Sequence, residues 1–211
     1  MKFAALLALL STVAISTLPM PVHAQDGGDL LSKERFQIRG RMIAILADGD
    51  GVVNTTTLAT DVDNAYVPEV DLTYFFTKNI SAELIAATAK HGVFAGTGKV
   101  GDTWILPPTI TIQYHFTPDN NFSPYIGAGL NYSIFYGEDS TAPYTKMGVD
   151  GGLGYAVQAG FDYWLDDNWG INLDVKYIDL NVDVSVNNGA LNAFDVELNP
   201  VVVGTGISYR F

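Results

Sequence analysis

The chain contains no cysteine. That removes disulfides, thiolate metal sites and cysteine nucleophiles, and it leaves the compartment open. Basic residues are scarce, 11 against 23 acidic ones, for a formal charge of −12. A nucleic-acid binder needs a basic face, so no nucleic-acid partner is expected. After the first two dozen residues there is no long apolar run, and hence no candidate spanning helix. A chain of this kind enters a bilayer only as a closed barrel. Metal-binding patterns are also missing. Asp48-Gly49-Asp50-Gly51 resembles the start of a calcium loop, but the later carboxylate at the required spacing is absent. The stretch reads as a solvated turn, and no cofactor or metal is expected. What is plentiful is glycine and tyrosine, 21 and 11 residues, as strands, turns and interfacial aromatic girdles require.

At 211 residues the chain is one domain with a leader. Residues 1–24 read as a signal peptide: Lys2, an apolar run from Phe3 to Leu18, then Val22-His23-Ala24 before a cut. The run is short for a spanning helix, and Pro19 and Pro21 follow it. Removal takes away Lys2 and no acid, moving the charge from −12 to −13. Residues 25–34 form a flexible periplasmic lead-in, and 35–211 form the barrel.

Strict alternation then recurs. It predicts strands over 35–46, 66–76, 80–90, 104–116, 124–135, 153–165, 169–178 and 196–211. The Ala-rich 80–90 stretch also admits a short helix. The closing strand places Val201, Val203, Thr205, Ile207, Tyr209 and Phe211 on one face. A terminal strand so apolar and aromatic suits a barrel whose outer face meets lipid, and it resembles the signal shown to barrel-insertion machinery. Eight strands result, joined by alternately long and short connections. The long ones, 48–64, 92–102, 137–151 and 179–195, either fold over the mouth or extend the barrel. Outer-membrane barrels have short periplasmic turns and long outside loops. A soluble eight-stranded barrel alternates too, with its apolar face inside. The leader, the aromatic strand ends and Phe211 favour the all-β, antiparallel transmembrane barrel.

Four segments carry a family resemblance: 67–88 (VPEVDLTYFFTKNISAELIAAT), 106–116 (LPPTITIQYHF), 123–132 (SPYIGAGLNY) and 158–178 (QAGFDYWLDDNWGINLDVKYI). They resemble the OmpW/AlkL family of outer-membrane proteins, over nearly all of the chain after the leader. The resemblance implies an eight-stranded barrel in the bacterial outer membrane that helps small hydrophobic molecules across. It brings no catalytic motif, and it leaves the solute open.

An eight-stranded barrel is narrow and filled by its own side chains. With the short turns at the periplasmic end, alternation places Arg35, Arg39, Arg41, Asp71, Glu83, Asp162, Asp174, Lys176 and Arg210 low and midway in the lumen. Mixed charges in a low-dielectric interior must pair, so these form a polar plug. A bland role as the core that holds the wall is compatible with plugging. Higher up, Ile43, Ile45, Val67, Ala87, Ile105, Pro107, Phe135, Leu198 and Pro200 make an apolar mouth. An apolar solute entering there meets paired charge below. Pro68, Pro107, Pro108 and Pro200 lie toward the outer halves of their strands and lack a ladder donor. A weakened wall there offers a lateral exit into lipid; the plainer alternative is that these prolines only end or kink strands.

Some outer-membrane barrels are lipid-modifying enzymes, which need a base beside a nucleophile. Only His91 and His115 follow the leader: His91 lies beside Lys90 and Thr88 at the outer end of its strand, His115 lies at the periplasmic end next to no obvious nucleophile, and no enzyme activity is expected. The remaining alternative is a structural or receptor barrel recognised through acidic outer loops.

Overall fold

The computed structural model describes residues 32–46, 60–62, 64–95, 98–143, 146–186, 191–197 and 199–211. The expected leader and most of the lead-in fall outside this set. A 3-10 turn, Lys33–Arg35, precedes the first strand. The strands then follow in order: β1 Phe36–Leu46, β2 Thr60–Val62, β3 Ala65–Phe75, β4 Ile80–Ala87 and β5 Ala89–Ala95. Next come β6 Gly98–Leu106, β7 Thr109–His115, β8 Phe122–Tyr132, β9 Ile134–Ser140 and β10 Met147–Asp150. The last five are β11 Leu153–Trp164, β12 Trp169–Asp179, β13 Asn181–Val186, β14 Leu191–Glu197 and β15 Val201–Arg210.

Eight of these close an antiparallel barrel in the order β1-β15-β12-β11-β8-β7-β4-β3. β1 closes it, running from Gln37↔Arg210 to Leu46↔Val201 against β15 and from Phe36↔Tyr74 to Ile45↔Ala65 against β3. The Ala-rich 80–87 segment is strand, because both neighbours offer it a ladder. Tight turns join the lower ends. In one, Thr77 Oγ1 accepts from the backbone N–H groups of Asn79 and Ile80. In another, Asp166 Oδ1 accepts from Asn168 and Trp169 at 2.9 and 2.7 Å.

The faces are inverted relative to a soluble barrel. Met42, Val70, Ile110, Leu130 and Ile207 are exposed on the outside, while Gln37, Arg39, Glu83 and Gln113 are fully buried within. Aromatic rings gather at the lower rim: Phe36, Tyr74 and Phe76 meet edge to face, as do Trp169, Tyr209 and Phe211. At the upper rim Trp104 stacks on Tyr136 at 6.3 Å. The outer apolar face is uneven in height. On β8 and β9 it runs from Phe122 through Leu130 and Tyr132 to Ile134 and Tyr136. On β11, paired to β8 by Leu153↔Tyr132, it stops at Leu153.

The long connections differ from the sequence expectation of loops. Among the described residues two further sheets stand above the barrel, ordered β2-β5-β6-β9 and β10-β13-β14. They extend the wall, one of the two arrangements the sequence left open. The expected strands 80–90, 104–116 and 124–135 are consequently each broken in two, at Thr88, at Pro107-Pro108 and at Ser133.

These breaks lie at one level, and the wall has a gap there. Below it β4 meets β7 as far as Ile85↔Thr109; above it β5 meets β6 from Ala89↔Ile105. The register is the same on both sides, and the three positions Ala86–Thr88 against Leu106–Pro108 carry no ladder pair. Pro107 lacks the N–H that would face the gap, and Pro108, whose backbone faces β8, lacks one on the other edge. On its other edge this segment stays bonded, through Tyr132 N–H to the Pro108 carbonyl at 3.1 Å. A second gap flanks the first: β3 pairs with β4 only up to Glu69↔Ala87, leaving Ala65–Pro68 without a ladder partner on that side.

Candidate functional site: the barrel lumen and its wall

Alternation turns Arg39 and Arg41 inward from β1, facing Asp71 and Glu69 of β3, Glu83 of β4, Asp162 of β11 and Asp174 of β12. Arg39 grips Asp162 with two bonds, Nη2 to Oδ2 at 2.8 Å and Nε to Oδ1 at 3.2 Å. Its Nη1 also reaches Glu83 at 3.0 Å, Asp71 at 3.3 Å and Thr73 at 3.0 Å. Arg41 bonds Glu69 through Nε at 2.7 Å and meets Asp71 and Glu83 through Nη2 at 2.8 and 3.2 Å. Lys176 pairs with Asp174 at 3.4 Å. Side-chain donors complete the carboxylates: Gln158 to Glu83 at 2.8 Å, Ser208 to Asp162 at 2.6 Å, Tyr125 to Asp174 at 2.9 Å. All of these groups are within a few per cent of complete burial. Such charges are tolerable in a dry lumen only because each is paired and bonded.

Seven of the nine residues expected in the plug therefore meet: Arg39, Arg41, Asp71, Glu83, Asp162, Asp174 and Lys176. Arg210 lies below them. Its guanidinium sits between the rings of Trp164 and Phe75, 4.4 and 4.6 Å from their centroids, and bonds Gln37. Arg35 does not join. It lies in the 3-10 turn at the lower rim and donates to the carbonyls of Phe75 and Phe76, where the chain has not yet entered β1. Glu69, Tyr125 and Asn172 belong to the network and were not singled out from sequence. Alternation puts all three on the inward face. The further signal for Tyr125 is its partner Gly160, where a Cβ would lie 2.6 Å from the tyrosine oxygen.

Above the network the lining turns apolar. Ile43, Ala89, Val93, Ile105, Ala156, Ile178 and Val202 are buried in one cluster with Val100, Met147 and Val149 from the upper strands and Leu180 between β12 and β13. Ile45, Val67, Ala87 and Phe135 pack against it half-buried. Six of the nine residues expected at the mouth thus come together. Pro107 is half-buried at the wall gap, and its carbonyl accepts from Thr109 and Asn131. Pro200 is buried, but its carbonyl accepts from Ile178 N–H, so the ladder there stays joined. Leu198 lies outside the described residues. Among the described residues, these upper-lumen side chains pack against one another.

His91 is buried in the wall of this upper region, opposite Thr103 across β5 and β6. His115 is fully buried low in the lumen, with Nε2 3.1 Å from Ser81 Oγ, a neighbour the sequence reading did not find. The pair is sealed from solvent, and His115 Nδ1 has no hydrogen-bond partner to orient it. Among the described residues no cluster has the make-up of a metal site.

A closed eight-stranded barrel with polar interior, apolar exterior and aromatic rims defines an outer-membrane β-barrel protein. The particular lineage follows from comparison. A model of the OmpW family matches residues 32–211, and the chain belongs to that family. It is 38% identical to the uncharacterized outer-membrane protein y4mB of Sinorhizobium fredii, covering 90% of this chain and 86% of that one. Outer membrane protein W of Vibrio cholerae is 34% identical, over 90% and 92% of the two chains. The crystal structure of OprG from Pseudomonas aeruginosa superposes with a TM-score of 0.77 at 28% identity, covering 83% of this chain and 95% of that one.

Proposed function

We propose that this barrel passes small hydrophobic molecules across the outer membrane, by an apolar upper lumen above a polar plug and a lateral exit into the bilayer. The observation that carries the reading is the change of lining within one lumen. An apolar solute gains by leaving water for the Ile43–Ile105–Val202 region. To continue straight down it must displace Arg39 and Arg41 from their carboxylates, stranding buried charge. The way out at lower cost is through the wall, beside the half-buried Ala87 and Pro107, where the ladder lacks three pairs. Because the described upper-lumen side chains pack against one another, passage requires them and the upper sheets to yield. The test is uptake of a labelled alkane or small aromatic by cells with an intact outer membrane, with and without the protein. Faster, protein-dependent uptake is expected. No change across several apolar solutes, with the barrel confirmed in the membrane, favours a structural or receptor barrel.

A further inference from the structure

Thr88 stands between β4 and β5, inside both gaps, with no backbone ladder pair on either side. Its side chain makes the connection its backbone lacks. Thr88 Oγ1 donates to the Ile105 carbonyl at 3.1 Å. With that proton committed, the 2.6 Å contact to Tyr136 must be donated by the tyrosine O–H. Tyr136 is held in place by its stack on Trp104 and by the β6–β9 ladder, Trp104↔Tyr136. One hydroxyl thus ties the β4–β5 junction to β6 and, through the ring, to β9. Both side chains are exposed on the outer surface, near the upper rim.

We infer that Thr88 and Tyr136 form a latch that holds the wall gap shut and must release for a solute to leave sideways. This deepens the lateral route proposed above and rests on it. The apolar faces of Ala87 and Pro107 lie directly behind the latch, so its release joins the upper lumen to the lipid. The latch is a positioning device and touches solute only as the solute passes.

The absence of cysteine makes a direct assay simple. A single reporter, Ala87→Cys, is introduced into the full-length barrel in phospholipid vesicles, and its rate of reaction with a lipid-soluble maleimide is measured. Adding Tyr136→Phe, which loses one hydrogen bond, should raise that rate about two- to tenfold, and Thr88→Val, which loses two, should raise it at least as much. Thr88→Ser keeps the hydroxyl and should label like the parent. Heat-modifiable gel mobility identifies any variant that has not folded. Unchanged labelling in folded Thr88→Val and Tyr136→Phe overturns the latch. Uptake of an apolar tracer by the same variants, without the reporter, separates the two readings. Faster labelling with faster uptake supports both, whereas faster labelling with unchanged uptake keeps the latch and removes the lateral route.

Discussion

Arg39 contacts three carboxylates from three strands, and a buried partner left without its counterion is the costly case. Arg39→Ala should therefore lower barrel stability by about 3–5 kcal/mol. The exposed Lys78–Asp119 pair is as short, 2.9 Å, yet sits in water between two turns. Lys78→Ala should cost under about 1 kcal/mol. Urea unfolding in lipid vesicles, followed by tryptophan fluorescence, measures both. Equal losses would mean that the lumen is wetter than its burial implies. Asp166 offers a pH-dependent counterpart. Backbone donation from Trp169 and Asn168 lowers its carboxyl below the ordinary value. A depressed folded-state value stabilises above the unfolded-state value and is lost as pH falls through the folded one. Asp166→Asn should thus be less stable than the parent at neutral pH. The difference should shrink as pH drops below about 4. A difference independent of pH would show that the turn depends on shape and not on charge.

The strands of the barrel proper were legible because each separates an apolar from a polar face with period two. β12 does so without exception from Trp169 to Lys176. The upper strands were not. β5 reads Ala-Lys-His-Gly-Val-Phe-Ala and β10 reads Met-Gly-Val-Asp, with the glycine and charge that usually mark loops. Their pairing is inherited from below: β5–β6 continues the β4–β7 register, and β6–β9 that of β7–β8. A ladder already aligned lowers the cost of adding the next pair, and local sequence carries no trace of that help. The site divides likewise. The charges of the plug followed from alternation, whereas Ser81 beside His115, 34 residues apart, required the β4–β7 pairing and its register. Pro107 and Pro108 belong at this scale. Replacing both with Val restores one N–H donor across the gap, at Pro107, and one toward β8, at Pro108, where the register is already in step. Delivery of an apolar solute should fall severalfold while the folded barrel persists. Unchanged delivery by the inserted variant would leave these prolines as simple strand breaks.

At the scale of the whole molecule, the hydrophobic belt is not level. Ile134 and Tyr136 stand two outward positions above Tyr132, while β11 has nothing apolar beyond Leu153, its cross-strand partner. Four residues at about 3.3 Å each, tilted by about 40°, make that side of the belt taller by roughly 10 Å. A bilayer meeting such a rim must thicken beside β6 and β9, or the barrel must lean toward them, at a fraction of a kcal/mol for each ångström of mismatch. The high side is also the side that carries Thr88, Pro107 and Pro108. A membrane drawn up around it submerges the gap, so a solute leaving there meets acyl chains and not headgroups. On the proposed lateral route, hydrophobic mismatch would then choose the leaflet depth at which a solute is released, and bilayer thickness would become a control on that release.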